Sequence, residues 1–238
     1  MIREYIKNLI RRIGDNFNFT LSSQPTIIGK YREKAIEDAL NHFEKHFANS
    51  NIFNFEIEIR NFAINKAIEL NANDHKDFYL EFGVYKGKSI NYFSRYLQKE
   101  NFKIYGFDSF EGLEENWTGT HHLKNIAFNL KGKKPKTNNN VVIIQGKIQD
   151  TLQDFCNNKL QDNKISFIHF DFDTFTPTDY TLKTIKKYLK KNTIILFDEI
   201  YGFPNWRDHE YKALTNNLSD DEYKYIAFSE KQAVIQIL

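Results

Sequence analysis

Seven short runs rich in Ile, Val, Phe and Tyr follow residue 76, and they constrain the fold more than any other feature. The runs are residues 78–82, 103–107, 141–145, 165–170, 193–197, 223–228 and 233–238. Helical or loop segments long enough for crossovers separate the first five, which predicts parallel strands alternating with helices. Only residues 229–232 separate the last two, so we expect these to pair antiparallel at one edge of the sheet. The sequence therefore predicts an α/β fold with a seven-stranded, mostly parallel sheet, an antiparallel C-terminal strand and helices on both faces.

The first third of the chain has a different pattern. Apolar residues recur at helical spacing in residues 2–13, 31–47 and 58–70, which predicts three helices. We therefore divide the chain into an N-terminal helical extension, residues 1–75, and a main domain, residues 76–238. We expect the extension to cap a site or to form a homodimer contact. The first helix could also lie on a membrane surface, but packing against protein is the favoured interpretation.

Composition excludes several classes of protein. The 238 residues are 41% hydrophobic and 27% charged, which is unlike a disordered chain. Lys+Arg 33 against Asp+Glu 31 leaves a net charge of +2, which argues against a nucleic-acid partner. The single cysteine, Cys156, excludes an internal disulfide and a cysteine-rich zinc site. No run approaches the roughly 20 apolar residues of a membrane-spanning helix, and no signal peptide is recognisable, so we predict a cytoplasmic protein without stable membrane insertion.

The loop after the first strand predicts a ligand site. Residues 81–89 read EFGVYKGKS and lead into a helix, whose N-terminal N–H groups can meet a ligand. The glycine spacing does not match a dinucleotide fingerprint, and a P-loop would need one more residue between its glycines. An acidic residue ahead of these glycines suits S-adenosylmethionine, because the Glu81 carboxylate could bind the methionyl ammonium. A P-loop-like site for ATP stays open as the alternative.

The second strand supports an adenosyl ligand. Asp108 stands at its C-terminal end, where an acidic residue of such a sheet accepts hydrogen bonds from ribose hydroxyls. The alternative is that Asp108 only opens a turn with Ser109.

Carboxylates follow two further strands. Asp171 and Asp173 come after residues 165–170, and Asp198 and Glu199 come after residues 193–197. If these strands are neighbours, roughly 5 Å apart, the four carboxylates crowd one place, which favours a hard divalent cation such as Mg²⁺ or Ca²⁺. Such a cation lowers the pKa of a bound alcohol, and a carboxylate can then take its proton. Asp173 as a helix cap and Glu199 as a solvated residue are the alternatives.

These segments together resemble the macrocin O-methyltransferase family of metal-dependent, S-adenosylmethionine-dependent enzymes with a Rossmann-like sheet. The family methylates sugar hydroxyls of natural products, and related members modify surface polysaccharides. The resemblance covers about residues 78–214 and rests on residues 81–89, 108–113, 146–152, 171–173 and 198–199. It departs from the family at Phe172, in place of glycine, at Glu199, in place of aspartate, and at Lys147–Ile148, in place of an aromatic pair.

The resemblance implies a role for each matching residue. Asp171, Asp198 and Glu199 would bind Mg²⁺, and Asp171 would also be the general base. The residues that would hold S-adenosylmethionine are Glu81, Gly83, Tyr85, Gly87, Ser89, Asp108, Ser109, Phe110 and Gly146.

A segment after the metal pair is the candidate substrate loop. Trp206 could stack on a sugar ring and His209 could act as an auxiliary base, with Asp173 and Tyr201 as further substrate contacts. A packed aromatic and a helix-start histidine are the alternatives for Trp206 and His209. Residues 110–140 form a long insertion, which predicts a lid, and its lysine-rich residues 131–136 could meet a phosphorylated sugar or simply be solvated.

The leading hypothesis is an S-adenosylmethionine- and Mg²⁺-dependent O-methyltransferase. Its acceptor would be a sugar hydroxyl of a surface glycan or capsule, a nucleotide-linked sugar or a glycosylated natural product. A catechol-type O-methyltransferase is the nearest alternative, since adjacent oxygens suit the same cation. A P-loop-like kinase and a non-catalytic binding protein are more remote.

Overall fold

The computed structural model describes residues 26–71 and 77–238. The predicted helix at residues 2–13 lies outside these ranges. The elements in chain order are α1 (Ile27–Phe47), β1 (Asn51–Ile52), α2 (Glu56–Leu70), β2 (Phe78–Phe82), α3 (Lys88–Lys99), β3 (Ile104–Asp108), β4 (Val141–Gln145), α4 (Ile148–Phe155), β5 (Ile165–Phe170), α5 (Phe175–Ile185), β6 (Leu189–Phe197), α6 (Glu210–Asn217), β7 (Tyr223–Phe228) and β8 (Ala233–Ile237). Short 3₁₀ segments at Lys186–Tyr188 and Trp206–Asp208, and a π-helical turn at Cys156–Leu160, connect them.

The described strands form one open sheet in the order β1-β7-β8-β6-β5-β2-β3-β4. Neighbouring strands are parallel except where β8 pairs with β6 and β7. The predicted mostly parallel sheet with an antiparallel C-terminal strand is therefore confirmed. The predicted neighbours β5 and β6 are also adjacent.

The sheet has eight strands where the sequence predicted seven. The additional strand, β1, pairs in parallel with β7 through Asn51 and Ile52, and it lies outside the C-terminal pair at the edge of the sheet. Both of its residues are exposed. A two-residue exposed strand has no apolar periodicity, so the sequence contained no signal for it.

A row of stacked phenylalanines crosses the sheet at the carboxyl ends of four central strands. Phe82 lies between Phe107 and Phe170, with ring centroids 5.0 and 5.2 Å away, and Phe170 lies 5.2 Å from Phe197. Each pair is also a register pair of adjacent strands. All four rings are buried, so they fix the relative heights of the four strand ends.

The described part of the N-terminal extension packs into the same molecule. Phe43 of α1 is fully buried on one face of the sheet, whereas Ile59 and Ala63 of α2 are fully buried on the other. Helix α2 lies against β5, β6 and α3. The division of the chain at residue 75 stays a prediction.

None of the helices described for this chain is both long enough and apolar enough to cross a lipid bilayer.

Candidate functional site

A cavity opens at the carboxyl ends of β2 to β5, where ligands of open α/β sheets bind. Its lining combines predicted cofactor residues with two of the predicted carboxylates. These are Gly83, Tyr85, Asp108, Ser109, Gly146, Asp171 and Asp173. Within the described chain, Glu81, Gly87, Ser89 and Phe110 lie outside this lining.

Gly83 brings the first loop against the acidic strand end. Its φ is +90°, and a Cβ added there would lie 1.9 Å from the carbonyl oxygen of Asp171. The backbone N–H of Asp171 in turn donates to the Phe82 carbonyl at 2.8 Å. Only glycine fits such a close approach, so glycine is required at position 83, where the loop meets the end of β5.

Asp108 connects two loops of the cavity. Its Oδ2 accepts hydrogen bonds from the backbone N–H groups of Val84 at 2.9 Å and Tyr85 at 2.7 Å. Its Oδ1 accepts from the N–H of Phe110 at 2.6 Å. The side chain therefore fixes the first loop and forms the predicted turn, while its contact with a ribose stays a prediction. The Phe110 ring is buried in the core.

Glu81 and Ser89 lie beneath the loop. The Ser89 hydroxyl donates to Glu81 Oε1 at 3.0 Å, and the Glu81 carboxylate is fully buried. A P-loop serine must face a metal–phosphate ligand, so this geometry argues against the kinase alternative. A direct contact of Glu81 with a methionyl ammonium stays a prediction.

The carboxylates form two overlapping groups. Oxygen atoms of Asp171, Asp173 and Glu199 lie within 4.8 Å of one another, and so do ligand atoms of His169, Asp171 and Asp198. The first group offers oxygen donors alone, which is what a hard divalent cation such as Mg²⁺ prefers. Asp171 belongs to both groups.

Asp198 already has cationic partners. Its Oδ1 accepts from Arg60 Nη2 at 2.8 Å, from His169 Nε2 at 3.3 Å and from the amide of Gln232. Of the predicted metal residues, Glu199 lies with Asp171 and with Asp173, which was predicted to contact substrate, whereas Asp198 lies with Asp171 and His169. A second cation beside Arg60 would be repelled, so Asp198 is less suited than Asp173 to hold one.

The charges of this cluster explain its ionisation. Burial, reinforced by neighbouring carboxylates, raises the pKa of Asp171 and of Asp173 well above the usual range and that of Glu199 to about 7. Burial would also raise the pKa of Asp198, but hydrogen bonds from His169 and Arg60 outweigh it and lower that pKa. Carboxylates with raised pKa values gain most from a bound cation that offsets their charge.

Sequence reasoning missed Arg60, His169 and Glu210. Glu210 is fully buried at the start of α6, and neither of its carboxylate oxygens has a well-formed hydrogen bond within the described chain. Burial, followed by the charges of Glu199 and Asp198, raises its pKa well above the usual range. His169 stood inside an apolar run, Arg60 belongs to the extension and Glu210 follows a candidate base. The local sequence around each of these residues therefore pointed to a strand, a helix or another candidate residue, and not to the acidic cluster.

The candidate substrate residues are placed differently from the expectation. Trp206 is 2% exposed and packs on Phe43 and Tyr211, with centroids 5.5 and 4.7 Å away. Tyr201 is buried and its hydroxyl donates to the Ser229 carbonyl. Trp206 is therefore a packed aromatic, with no face open to a sugar, and Tyr201 lies outside the cavity lining.

His209 connects the start of α6 to the insertion. Its Nε2 lies 2.9 Å from the carbonyl oxygen of Thr118, a residue of the insertion. It is 4% exposed, and burial lowers its pKa. It does not line the cavity, so the geometry does not support the auxiliary-base role.

The insertion forms one wall of the cavity. Phe128 lines it and packs edge-on against Tyr85, 5.3 Å between centroids. Trp117 packs on Phe203 at 5.5 Å, and a Cβ on Gly119 would lie 1.8 Å from the Pro204 carbonyl oxygen. The insertion therefore contacts both the loop after β2, through Tyr85, and the segment after β6.

Comparison with known proteins identifies the sequence family of the chain. Residues 80–200 match a sequence family described as "Methyltransferase domain". No curated protein matched the chain.

Solved structures share the fold. CalS11, described as a calicheamicin methyltransferase, aligns with a TM-score of 0.62 at 18% identity over 91% of this chain and 94% of that chain. Apo CalS11, described as a TDP-rhamnose 3'-O-methyltransferase, gives 0.54 at 18% over 90% and 96%. The O-methyltransferase NovP gives 0.56 at 14% over 76% and 80%. These likenesses confirm the predicted Rossmann-like architecture.

Proposed function

The chain belongs to the Methyltransferase domain family, and on that premise we propose that it is an S-adenosylmethionine- and divalent-cation-dependent O-methyltransferase acting on a sugar hydroxyl. The observation that carries the proposal is the cavity itself. It places Gly83 and Asp108, typical of adenosyl binding, beside the carboxylates Asp171 and Asp173. A methyl donor and a base for an alcohol are thereby accommodated in one site.

S-adenosylmethionine would be held by residues at the ends of β2, β3 and β4. Asp108 accepts from the ribose hydroxyls, and Ser109 and Gly146 flank the adenosyl group. Tyr85 and Gly83 adjoin the methionyl part. Since Gly83 contacts the Asp171 backbone, a methionyl part held at Gly83 would lie next to the carboxylates.

The carboxylates prepare the acceptor hydroxyl. Asp171, Asp173 and Glu199 hold the divalent cation, which when bound lowers the pKa of the acceptor hydroxyl. Asp171 takes the hydroxyl proton as the acceptor oxygen attacks the methyl carbon. The new O–C bond replaces the C–S bond, and S-adenosylhomocysteine leaves with the sulfur electron pair.

The proposed acceptor is a sugar carrying a free hydroxyl. One structural neighbour is described as acting on TDP-rhamnose. Vicinal hydroxyls of a sugar suit chelation by a cation held on three carboxylates. A nucleotide-linked sugar, a surface glycan or a glycosylated natural product each meets this requirement.

Two measurements test the proposal. Isothermal titration should show binding of S-adenosylmethionine and none of ATP. Transfer of a labelled methyl group should then occur to a nucleotide-linked 6-deoxysugar in the presence of Mg²⁺ and stop with a chelator. Transfer to a catechol in preference to any sugar would favour the nearest alternative, and undiminished transfer after chelation would contradict the cation requirement.

A further inference from the structure

A second cavity adjoins the acidic cluster at the end of β6, and we call it the hairpin cavity. Every residue of its lining is polar or charged, namely Glu56, Asp198, Glu199 and the four residues 229–232 between β7 and β8. Its lining shares no residue with that of the cofactor cavity, to which Asp171 and Asp173 belong. Since oxygen atoms of Asp171, Asp173 and Glu199 lie within 4.8 Å of one another, little more than the carboxylates themselves separates the two cavities.

The turn between β7 and β8 forms one side of the hairpin cavity. A hydrogen bond from the Ser229 N–H to the Gln232 carbonyl, at 3.0 Å, closes this turn. The Ile200 N–H donates to the Lys231 carbonyl, also at 3.0 Å, and this bond ties the turn to the segment after β6. The turn therefore has a fixed position beside the acidic cluster.

The side chains of the turn fall into two pairs. Gln232 is buried, its amide donates to Asp198, and its Oε1 accepts from the Ser229 hydroxyl at 3.0 Å. Glu230 and Lys231 are exposed at the tip, and neither side chain has a hydrogen bond to another described residue. The tip therefore offers one carboxylate and one ammonium group to a ligand in the hairpin cavity.

These two groups suit a sugar. A sugar hydroxyl can both donate and accept, so it pairs with a carboxylate, which accepts, and with an ammonium group, which donates. Hydrogen bonds to charged groups are the stronger kind. A catechol would instead need an apolar or aromatic wall for its ring, and no such side chain lines the hairpin cavity in the described chain.

The balance of charge favours the sugar ring over a phosphate attached to it. Four residues of the lining carry a carboxylate, Glu56, Asp198, Glu199 and Glu230, and Lys231 is its one cationic residue in the described chain. A phosphate placed there would meet more negative than positive charge. The neutral, hydroxyl-bearing part of the acceptor is therefore the part that fits.

We propose that the hairpin cavity is the acceptor site and that Glu230 and Lys231 recognise hydroxyl groups of the sugar ring. The inference rests on the proposed function. Methyl transfer requires the acceptor oxygen on the side of the methyl carbon opposite to sulfur, and an acceptor in the hairpin cavity reaches the carboxylates from a cavity separate from that of the cofactor. Glu230 and Lys231 bind the acceptor without reacting, so they set its affinity and not the rate of the chemical step.

Steady-state kinetics with a nucleotide-linked 6-deoxysugar tests this assignment. Lys231→Met and Glu230→Gln should each raise the KM for the sugar about tenfold or more, because each removes a hydrogen bond to a charged group. The kcat should stay within about twofold, and calorimetry should show unchanged affinity for S-adenosylhomocysteine. Both residues are exposed in a turn, so both variants should fold as the unmodified protein does.

The signs of the two effects distinguish a sugar ring from a phosphate in the hairpin cavity. If Lys231 binds the phosphate of the nucleotide, loss of the negative charge of Glu230 favours binding, so Glu230→Gln would lower the KM while Lys231→Met would raise it. Opposite responses would therefore overturn the proposal. The matched controls are Lys224→Met and Asp221→Asn, at exposed positions outside the lining, and they should leave the KM unchanged.

The remaining outcomes separate this inference from the proposed function. An unchanged KM in both Glu230→Gln and Lys231→Met would contradict only the acceptor site. A fall in kcat at unchanged KM would also overturn it, because the residue would then act in the chemical step. Absence of methyl transfer to the sugar by the unmodified protein would contradict the proposed function itself.

Discussion

Two aspartates at the ends of adjacent strands differ because their neighbours differ. Asp171 faces other carboxylates, and its pKa is raised, whereas Asp198 receives hydrogen bonds from Arg60 and His169, and its pKa is lowered. The same residue type thus holds a proton more strongly in one place and is a fixed anion in the other. The local sequence is similar at both, so only the folded neighbourhood separates their roles.

Replacing Asp171, the proposed base, tests whether this carboxylate differs from Asp198 in its role. Asp171→Asn should lower the rate of methyl transfer by about 10²- to 10⁴-fold, because the amide cannot take the hydroxyl proton. Binding of S-adenosylhomocysteine, measured by calorimetry, should be retained. Asp162→Asn, at an exposed position, is the control and should leave the rate unchanged. An unchanged rate in Asp171→Asn would remove the base assignment.

The shifted pKa values of the histidines predict how these residues contribute to stability at different pH values. The pKa values of His42, His46, His122 and His209 are lowered, with burial as the leading cause in each. At these four histidines the unfolded chain binds more protons below about pH 6.5, so their contribution to the free energy of unfolding falls as the pH drops below that value. The raised pKa values of Asp171, Asp173 and Glu199 act in the opposite direction, because there the folded chain binds more protons. The pKa of His169 is raised to about 9, so its contribution is complete at low pH and is lost only as the pH rises through about 9.

Thermal melts at about pH 7.5 and about pH 5.5 test this expectation. His209→Gln should lower the melting temperature at the higher pH, through loss of the contact with Thr118, and its deficit relative to the unmodified protein should be smaller at the lower pH. Replacing the exposed His121, for comparison, should leave the difference between the two melts unchanged. A pH difference in His209→Gln as large as in the unmodified protein would contradict the assignment.

At the scale of helices and strands, most of the strands were predictable from the sequence. The runs at 78–82, 141–145, 165–170 and 223–228 match strands residue for residue, because buried strands are marked by continuous apolar residues between turns. Strand β1 was missed, since two exposed residues have no such mark. The acidic strand ends were also predictable, but the partners of Asp198 were not, because Arg60 and Gln232 come from distant parts of the chain.

Two glycines of the insertion test how it joins the segment after β6. Both have positive φ, +84° at Gly119 and +71° at Gly132. An added Cβ would lie 1.8 Å from the Pro204 carbonyl oxygen at Gly119, but would meet nothing nearer than 3.9 Å at Gly132. Gly132→Ala should therefore cost about 1 kcal/mol of backbone strain, and Gly119→Ala distinctly more. Urea unfolding measures both, and equal costs would mean that the contact with Pro204 yields easily.

At the scale of the whole molecule, α1 is bound to the last third of the chain. Phe43 is fully buried among aromatic side chains of the C-terminal segments, namely Tyr201, Trp206, Tyr211, Tyr225 and Phe228. Asp38 also pairs with Arg207, although an exposed pair of this kind contributes little. Packing of the aromatic rings is therefore the main reason that α1 stays in place.

Truncating that ring tests whether α1 unfolds with the sheet. Phe43→Ala should lower the free energy of unfolding by about 3–5 kcal/mol while leaving a single cooperative transition. Ile36→Ala, on the same helix but 56% exposed, should cost much less. Circular dichroism during denaturation measures both. A separate early transition in Phe43→Ala would indicate that α1 is an independently detachable cap.

The position of β8 has a consequence for how the protein is made. β8 is the last strand in chain order, yet it lies between β6 and β7. A nascent polypeptide can assemble β2 to β6 while it is still being translated, but β7 has no permanent neighbour to pair with on that side until Ala233–Ile237 has left the ribosome. Until then the edge of β6 has unpaired backbone N–H and C=O groups that can pair with another chain. Premature termination before residue 233 would therefore leave an aggregation-prone product.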